Sequence, residues 1–235
     1  MNLIILFEDD FINENKVRLK GRRLNHVLSV HRAEIGDTLR VGLLNGKIGK
    51  GLITELNNEV LEMDIELTEQ SPPPSNVQLI LAMPRPKALK RIIQDATTMG
   101  IKKYYIIKTW RVEKSFWNSP VLLEKNLFEY MILGLEQAKD TILPDINIVK
   151  LFKPFVEDQV PDIINGTRAI VAHPTAKKEC PRNISEPITL AIGPEGGFIP
   201  YEIDMLEKQG FEVVNLGERI LRVETAIPII LGKLS

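Results

Sequence analysis

Ile188-Thr189-Leu190-Ala191-Ile192-Gly193-Pro194-Glu195-Gly196-Gly197-Phe198 is an apolar run that stops abruptly in glycine and proline. Its first five residues read as a buried strand, short and rich in β-branched side chains. Glycines at a strand end let a ligand approach the backbone, because no Cβ stands in the way. The same residues also suit a plain tight turn, with Glu195 no more than a solvated carboxylate. Neither common phosphate loop is present: there is no Gly-x-Gly-x-x-Gly spacing, and no Lys-Ser or Lys-Thr follows. That disfavours a nucleotide triphosphatase and an ordinary dinucleotide dehydrogenase.

Some twenty residues on, the chain repeats the theme in Leu216-Gly217-Glu218-Arg219-Ile220-Leu221-Arg222-Val223-Glu224-Thr225-Ala226. This reads as strand, loop and helix start, with an acidic residue at the positive end of the helix dipole. Taken alone it is an ordinary cap beside surface arginines. Two glycine-bearing strand ends so close together point to a cofactor site built largely of backbone.

Outward from these segments the pattern is strand-helix alternation. Strands are expected at Val77–Met83, Lys103–Lys108, Ile146–Lys150, Arg168–Ala172 and Val213–Leu216, and helices at Pro86–Met99, Pro200–Gln209 and from Thr225 onward. Ser119-Pro120 supplies an N-cap and a first-turn proline for a long helix reaching about Lys139. Such alternation specifies an α/β fold with a mainly parallel sheet. Upstream of Ser71-Pro72-Pro73-Pro74-Ser75 the character changes. Short β-rich runs at Thr38–Leu44, Gly49–Leu56 and Val60–Leu67 are separated by Gly36-Asp37, Asn45-Gly46 and Asn57-Asn58, with one short helix at Asn25–His31. The expected organisation is a small β-barrel over 1–70, a proline-rich linker over 71–75 and an α/β domain over 76–235.

Of the 235 residues 44% are apolar, and the formal net charge is −1. A partner held by bulk positive charge is not indicated, though 30 Lys and Arg can form a local patch. The first domain carries Arg18, Lys20, Arg22, Arg23, His31, Arg32 and Arg40, which read equally as a nucleic-acid surface or as scattered solvated charges. The single cysteine, Cys180, has no disulfide partner and reads as a small buried side chain rather than a nucleophile. Met1–Phe7 is apolar but lacks a basic start, and no run reaches the length of a membrane span, so the expected location is cytoplasmic. No metal is expected.

Together the two C-terminal segments resemble the signature of the RsmE family of ribosomal RNA methyltransferases, Ile-Gly-Pro-Glu-Gly-Gly-Phe followed by Leu-Gly-x-Arg-Ile-Leu-Arg-x-Glu-Thr-Ala. Ile192–Phe198 and Leu216–Ala226 match it almost throughout. Asn25-His26-Val27-Leu28, Gln94 with Gly100, Glu136-Gln137, Pro144 and Ala172-His173-Pro174 fit in order. The resemblance implies a SPOUT-class domain with a C-terminal trefoil knot, a rare exception to unknotted topology, preceded by a PUA-like barrel. It implies S-adenosylmethionine as cofactor, N3 of a small-subunit (16S) ribosomal RNA uridine as acceptor, and a homodimer.

By the same resemblance the cofactor lies against His173, Pro174, Gly193, Pro194, Gly196, Gly197, Leu216, Gly217, Ile220 and Leu221, with Thr225 and Ala226 beneath it. Arg222 is the first candidate to stabilise the anion that develops as N3 loses its proton. Glu224 orients it or acts as base, and Glu195 touches cofactor or substrate. Arg22, Arg23, Arg32, Lys87, Arg91 and Arg219 are the expected RNA contacts. The chain departs from the family on its RNA side: Met1–Phe7 lacks an arginine, Asp95, Thr98 and Asp140 stand where Lys, Glu and Arg are usual, and Ile199-Pro200 replaces a serine N-cap. Glu218 and Val223 replace the usual proline and threonine. Asp95 and Asp140 are expected to weaken phosphate contacts. Activity on another RNA, a non-catalytic binding relative, and a small-molecule-binding α/β domain are the competing readings.

Overall fold

The computed structural model describes residues 2–234, so Met1, which opens the apolar N-terminal run, and Ser235 lie outside it. The chain divides into two compact units, one comprising residues 1–73 with 131–143 and the other 74–130 with 144–235. The first break falls inside the proline-rich stretch. The second is invisible in the sequence pattern, because it cuts a continuous helix.

The first unit is a six-stranded sheet in the order β1-β4-β5-β6-β3-β2. Its strands are β1 (Ile4–Leu6), β2 (Phe11–Asn13), β3 (Lys16–Leu19), β4 (Thr38–Leu43), β5 (Ile48–Leu56) and β6 (Leu61–Glu69). β1 runs parallel to β4, and the other pairs are antiparallel. One core serves strands from both ends of that order: Ile4 and Leu6 of β1, Val17 and Leu19 of β3, Val41, Ile53 and Met63 are all within 2% of full burial. The sheet therefore curls around a single interior, the arrangement that shields strand edges in small barrels. Helix α1 (Gly21–His26) continues through a wider turn at Val27–His31 and buries Leu24 and Val27. The first three strands went unread in the sequence because runs of three or four residues carry too little period-two signal.

The second unit holds an all-parallel sheet in the order β12-β10-β11-β7-β8-β9. In chain order, β7 (Val77–Ala82) leads into α2 (Pro86–Thr98), then β8 (Lys103–Ile107), α3 (Glu124–Ala138) and β9 (Asp145–Val149). α4 (Phe152–Pro154) and α5 (Val160–Ile164) follow, then β10 (Arg168–Ala172), β11 (Ile188–Ile192), α6 (Pro200–Lys208), β12 (Glu212–Val214) and α7 (Val223–Leu234). Every residue of β11 is buried, as a strand covered on both faces requires. Helix α2 buries Ala88, Leu89, Ile92, Ile93 and Ala96 and packs against α7. The expected long helix from Ser119 is shorter. Ser119 Oγ caps a single 3-10 turn at Pro120–Leu122, and α3 begins only at Glu124. No helix of the described residues is long and apolar enough to cross a membrane.

Candidate donor site at three strand ends

β12, β10 and β11 are neighbours and parallel, so their carboxyl ends at Val214, Ala172 and Ile192 open on one edge of the sheet. Ligands of open α/β sheets bind at such edges, where strand order reverses. The loops leaving the three strands line one pocket, and Val223 and Ala226 at the start of α7 form part of its wall. Of the residues expected at a cofactor site, His173, Pro174, Gly193, Pro194, Gly197, Leu216, Gly217, Ile220, Leu221 and Ala226 line it. Gly196 and Thr225 do not. Ala172, Ile192 and Val223 also line it and were not anticipated.

Two side chains tie the loops together. The His173 ring bridges Thr175 Oγ1 from Nδ1 at 2.8 Å and the Phe198 carbonyl from Nε2 at 3.3 Å. The Thr175 N–H also points at Nδ1, so the network assigns the proton to Nε2. His173 thereby fastens the loop after β10 to the loop after β11. Asn215 fastens the loop after β12 to the first of these. Its Nδ2 donates to the Ala176 carbonyl at 2.7 Å, and its Oδ1 accepts the Gly217 N–H at 3.1 Å. Gly217 sits at φ +119°, a conformation in which a side chain is strained. Asn215 carried no motif that would have singled it out.

The glycine loop is closed on itself and held from outside. A Cβ on Gly193 would lie 2.9 Å from the Phe198 nitrogen, so the backbone fold-back excludes any side chain there. Glu195 Oε1 accepts the Arg85 N–H at 2.9 Å. Arg111 lays its stem along Gly196 and donates from Nη1 to the Gly196 carbonyl. Glu202, only 3% exposed, accepts from the Ile199 N–H at 2.9 Å and from the Trp110 N–H at 2.7 Å. From the first turn of α6 it thus makes the carboxylate half of a capping box, satisfying the N-cap backbone N–H where no N-cap side chain bonds the helix. Arg85, Trp110 and Arg111 are distant in sequence from the loop they brace, and sequence reasoning passed over them as it did over Glu202, in the helix that follows the loop.

The charged candidates separate. Glu195 and Arg219 line the pocket. Arg222 and Glu224 do not. Arg222 is exposed at the helix start, where its carbonyl accepts the Thr225 and Ala226 N–H groups, and Glu224 is half-buried in the first turn of α7. Among the expected RNA contacts, Arg22 forms a two-pronged pair with Glu136 at 2.8 and 2.9 Å. Arg23 is spent on Asp10 at 2.7 Å, on the Ile5 carbonyl and on the Phe7 ring. Arg32 stands exposed at φ 51°, and Lys87 and Arg91 are exposed one turn apart on α2. The expectation that Asp140 repels phosphate is corrected. Asp140 is 2% exposed, and its Oδ1 accepts from Ser71 Oγ at 2.7 Å and from the Ile142 N–H at 2.9 Å. Asp95 is exposed, and the Thr98 hydroxyl turns back to the Gln94 carbonyl at 2.9 Å. Cys180 is buried, and burial raises its thiol pKa, which leaves it unreactive. The described residues contain no group of side chains arranged to hold a metal.

Residues 71–235 match the RNA methyltransferase domain family. The chain is 30% identical over 182 residues to ribosomal RNA small subunit methyltransferase E of Mesomycoplasma hyopneumoniae, covering 75% of this chain and 77% of that one. The chain belongs to the RsmE family. The Treponema pallidum member is 25% identical over 232 residues, covering 96% and 87% of the two chains. The fold agrees with that of the Neisseria gonorrhoeae member crystallised with S-adenosyl methionine, at TM-score 0.73 and 20% identity over 97% of this chain and 95% of that one.

Proposed function

We propose that this RsmE-family chain transfers a methyl group from S-adenosylmethionine to N3 of a uridine in 16S ribosomal RNA. The observation that carries the reading is the convergence of three strand-end loops on one pocket with few polar side chains. Gly193 leaves room for nothing but backbone, and Ile192, Leu216, Ile220, Leu221, Val223 and Ala226 supply apolar walls. Such a rim suits a cofactor whose flat adenine ring packs on apolar walls while its edge is held by backbone N–H and C=O groups. When bound, S-adenosylmethionine supplies an electrophilic methyl group.

The protein's part is then to hold the base in line and to favour the anion left at N3. Arg219 lines the pocket, and we assign it the role of facing the uridine carbonyl oxygens. Arg222, given that role by resemblance alone, lies at the helix start outside the lining. Glu195 keeps the glycine loop against Arg85 rather than acting as a base. By the same family reading the C-terminal loops form a trefoil knot, the first unit is a PUA-like RNA-binding barrel, the enzyme is a cytoplasmic homodimer, and its substrate is the small subunit or an assembly particle.

Nucleoside mass spectrometry of 16S ribosomal RNA from cells lacking the protein tests the reading. Loss of 3-methyluridine, restored by the wild-type gene, is expected. An unchanged profile overturns it in favour of another RNA or a binding role. Arg219→Ala is expected to lower kcat by about 10²- to 10³-fold, the usual cost of removing one preorganised charge donor. A loss confined to Arg222→Ala would return the role to that residue.

A further inference from the structure

Trp110 is 80% exposed, although tryptophan is among the more buried residue types on average. Its backbone is nevertheless held firmly. The flanking Thr109 and Val112 are 4% and 6% exposed and close a turn through the Val112 N–H and the Thr109 carbonyl. The Trp110 N–H is fixed on buried Glu202. The next residue, Arg111, is clamped on Gly196, whose neighbours Glu195 and Gly197 both line the donor pocket. A held turn after β8 therefore presents a bare indole next in the chain to the arginine that grips the glycine loop, and the backbone of the exposed Arg85 is tied to Glu195 of the same loop.

We propose that Trp110 is a stacking platform for an unpaired base of the substrate RNA beside the methylated uridine, with Arg85 and Arg111 meeting the adjoining phosphates. The inference rests on the methyltransferase reading above and adds a positioning residue to it. N3 lies on the Watson–Crick edge, so the target nucleotide must be unpaired or drawn out of its stack before it can be methylated. Proteins secure splayed RNA strands by stacking bases on aromatic faces. A turn already locked in place loses little freedom when a base settles on it. An isolated exposed apolar side chain is ordinary. One whose backbone is fixed, and whose neighbour in the chain is an exposed arginine held on the loop of the pocket, has the composition of a nucleic-acid contact.

The test uses full-length protein with the only other tryptophan replaced, Trp117→Phe, so that indole emission reports Trp110 alone. A uridine-containing single-stranded RNA is titrated at fixed S-adenosylmethionine. Quenching that saturates with RNA is expected, and no quenching by RNA overturns the proposal. In steady-state assays Trp110→Ala is expected to raise KM for RNA about tenfold, since one base–aromatic stack is worth about 1–3 kcal/mol. kcat and S-adenosylmethionine affinity should change little, and Trp110→Phe should restore KM. Unchanged KM in Trp110→Ala, or loss of cofactor affinity in that variant, overturns the proposal. If RNA quenches Trp110 but no RNA is methylated, the platform stands and the methyltransferase reading falls.

Discussion

The donor pocket and the arginines of the first unit are built on opposite economies. The pocket is assembled from loops in which few side chains carry charge, and its shape depends on where backbone is allowed to run. The first unit is rich in cations, yet half of its Lys and Arg, including four of its five arginines, are engaged by its own carboxylates. Glu62, 5% exposed, accepts from Arg18 at 2.7 Å and from Lys16 at 2.7 Å. Arg22 holds Glu136, Arg23 holds Asp10, and Arg40 holds Glu69 at 2.8 Å. Among the described residues of this unit, Arg32, Lys20, Lys47, Lys50 and Lys139 form no ion pair. Counting positive charge in a sequence therefore overstates what that surface can offer an RNA. A run of glycines, carrying no charge, understates what its loop can bind.

The sharpest way to break this comparison is at Gly193. Gly193→Val forces a side chain onto the Phe198 nitrogen. Displacing the loop should cost about 1–3 kcal/mol, or up to about a hundredfold in S-adenosylmethionine Kd by titration calorimetry. Wild-type affinity would show that the fold-back has no bearing on cofactor binding. Next in size is Arg22→Ala, which leaves buried Glu136 without its guanidinium. Urea unfolding should show a loss of about 2 kcal/mol, below the usual 3–5 kcal/mol for a broken buried pair because Arg22 is itself half-exposed. RNA affinity measured well below the unfolding transition should be unchanged, and a large drop would restore Arg22 to the RNA surface.

Lys87→Ala with Arg91→Ala tests the opposite case, exposed cations that form no ion pair among the described residues. If both reach phosphate, the slope of log affinity against log salt for single-stranded RNA should become shallower by about 1.4. An unaltered slope would leave α2 outside the RNA path. The smallest effect is in acid. Lys16 and Arg18 hold the Glu62 carboxyl below its ordinary value of 4.5. The stability it contributes is present above that value and fades as pH falls through the lower folded value. Glu62→Gln should flatten that part of the melting-temperature profile, and parallel wild-type and variant curves would remove Glu62 as its source.

What could be read in advance followed from local signal. β10 and β11 were delimited to the residue because both are short buried runs bounded by prolines, glycines or polar residues. Most of the pocket lining within Gly193–Gly197 and Leu216–Leu221 was legible, Gly196 and Glu218 lying outside it, because the two stretches match one family signature. What escaped was whatever tertiary pairing decides. Residues 131–143 belong with the first unit through the Arg22–Glu136, Ser71–Asp140 and Gly46–Thr141 contacts, and none of these has a sequence period. Asn215 and Arg111 look like ordinary loop residues until the strands bring their targets within reach. The aspartate at 140 was misread for the same reason, since its sign was visible and its burial was not.

The pocket's walls span residues 172–226, and the segment just before β11 is laced to the far end of the last helix, Asn183 N–H to the Lys233 carbonyl and Ile184 N–H to the Leu234 carbonyl. Synthesis runs in the other direction. A nascent chain has every strand of the first unit, and the 131–143 segment that completes it, long before β12 or α7 exists. Domains fold as they emerge, the earlier ones first, so the ribosome would release a formed first unit still attached to a donor site with one wall missing. A chain arrested at Gly210 should accordingly be protease-resistant through residue 73 and blind to S-adenosylmethionine. Methyl-donor capture then waits until the chain has been translated past Ala226, the most C-terminal residue of the pocket wall.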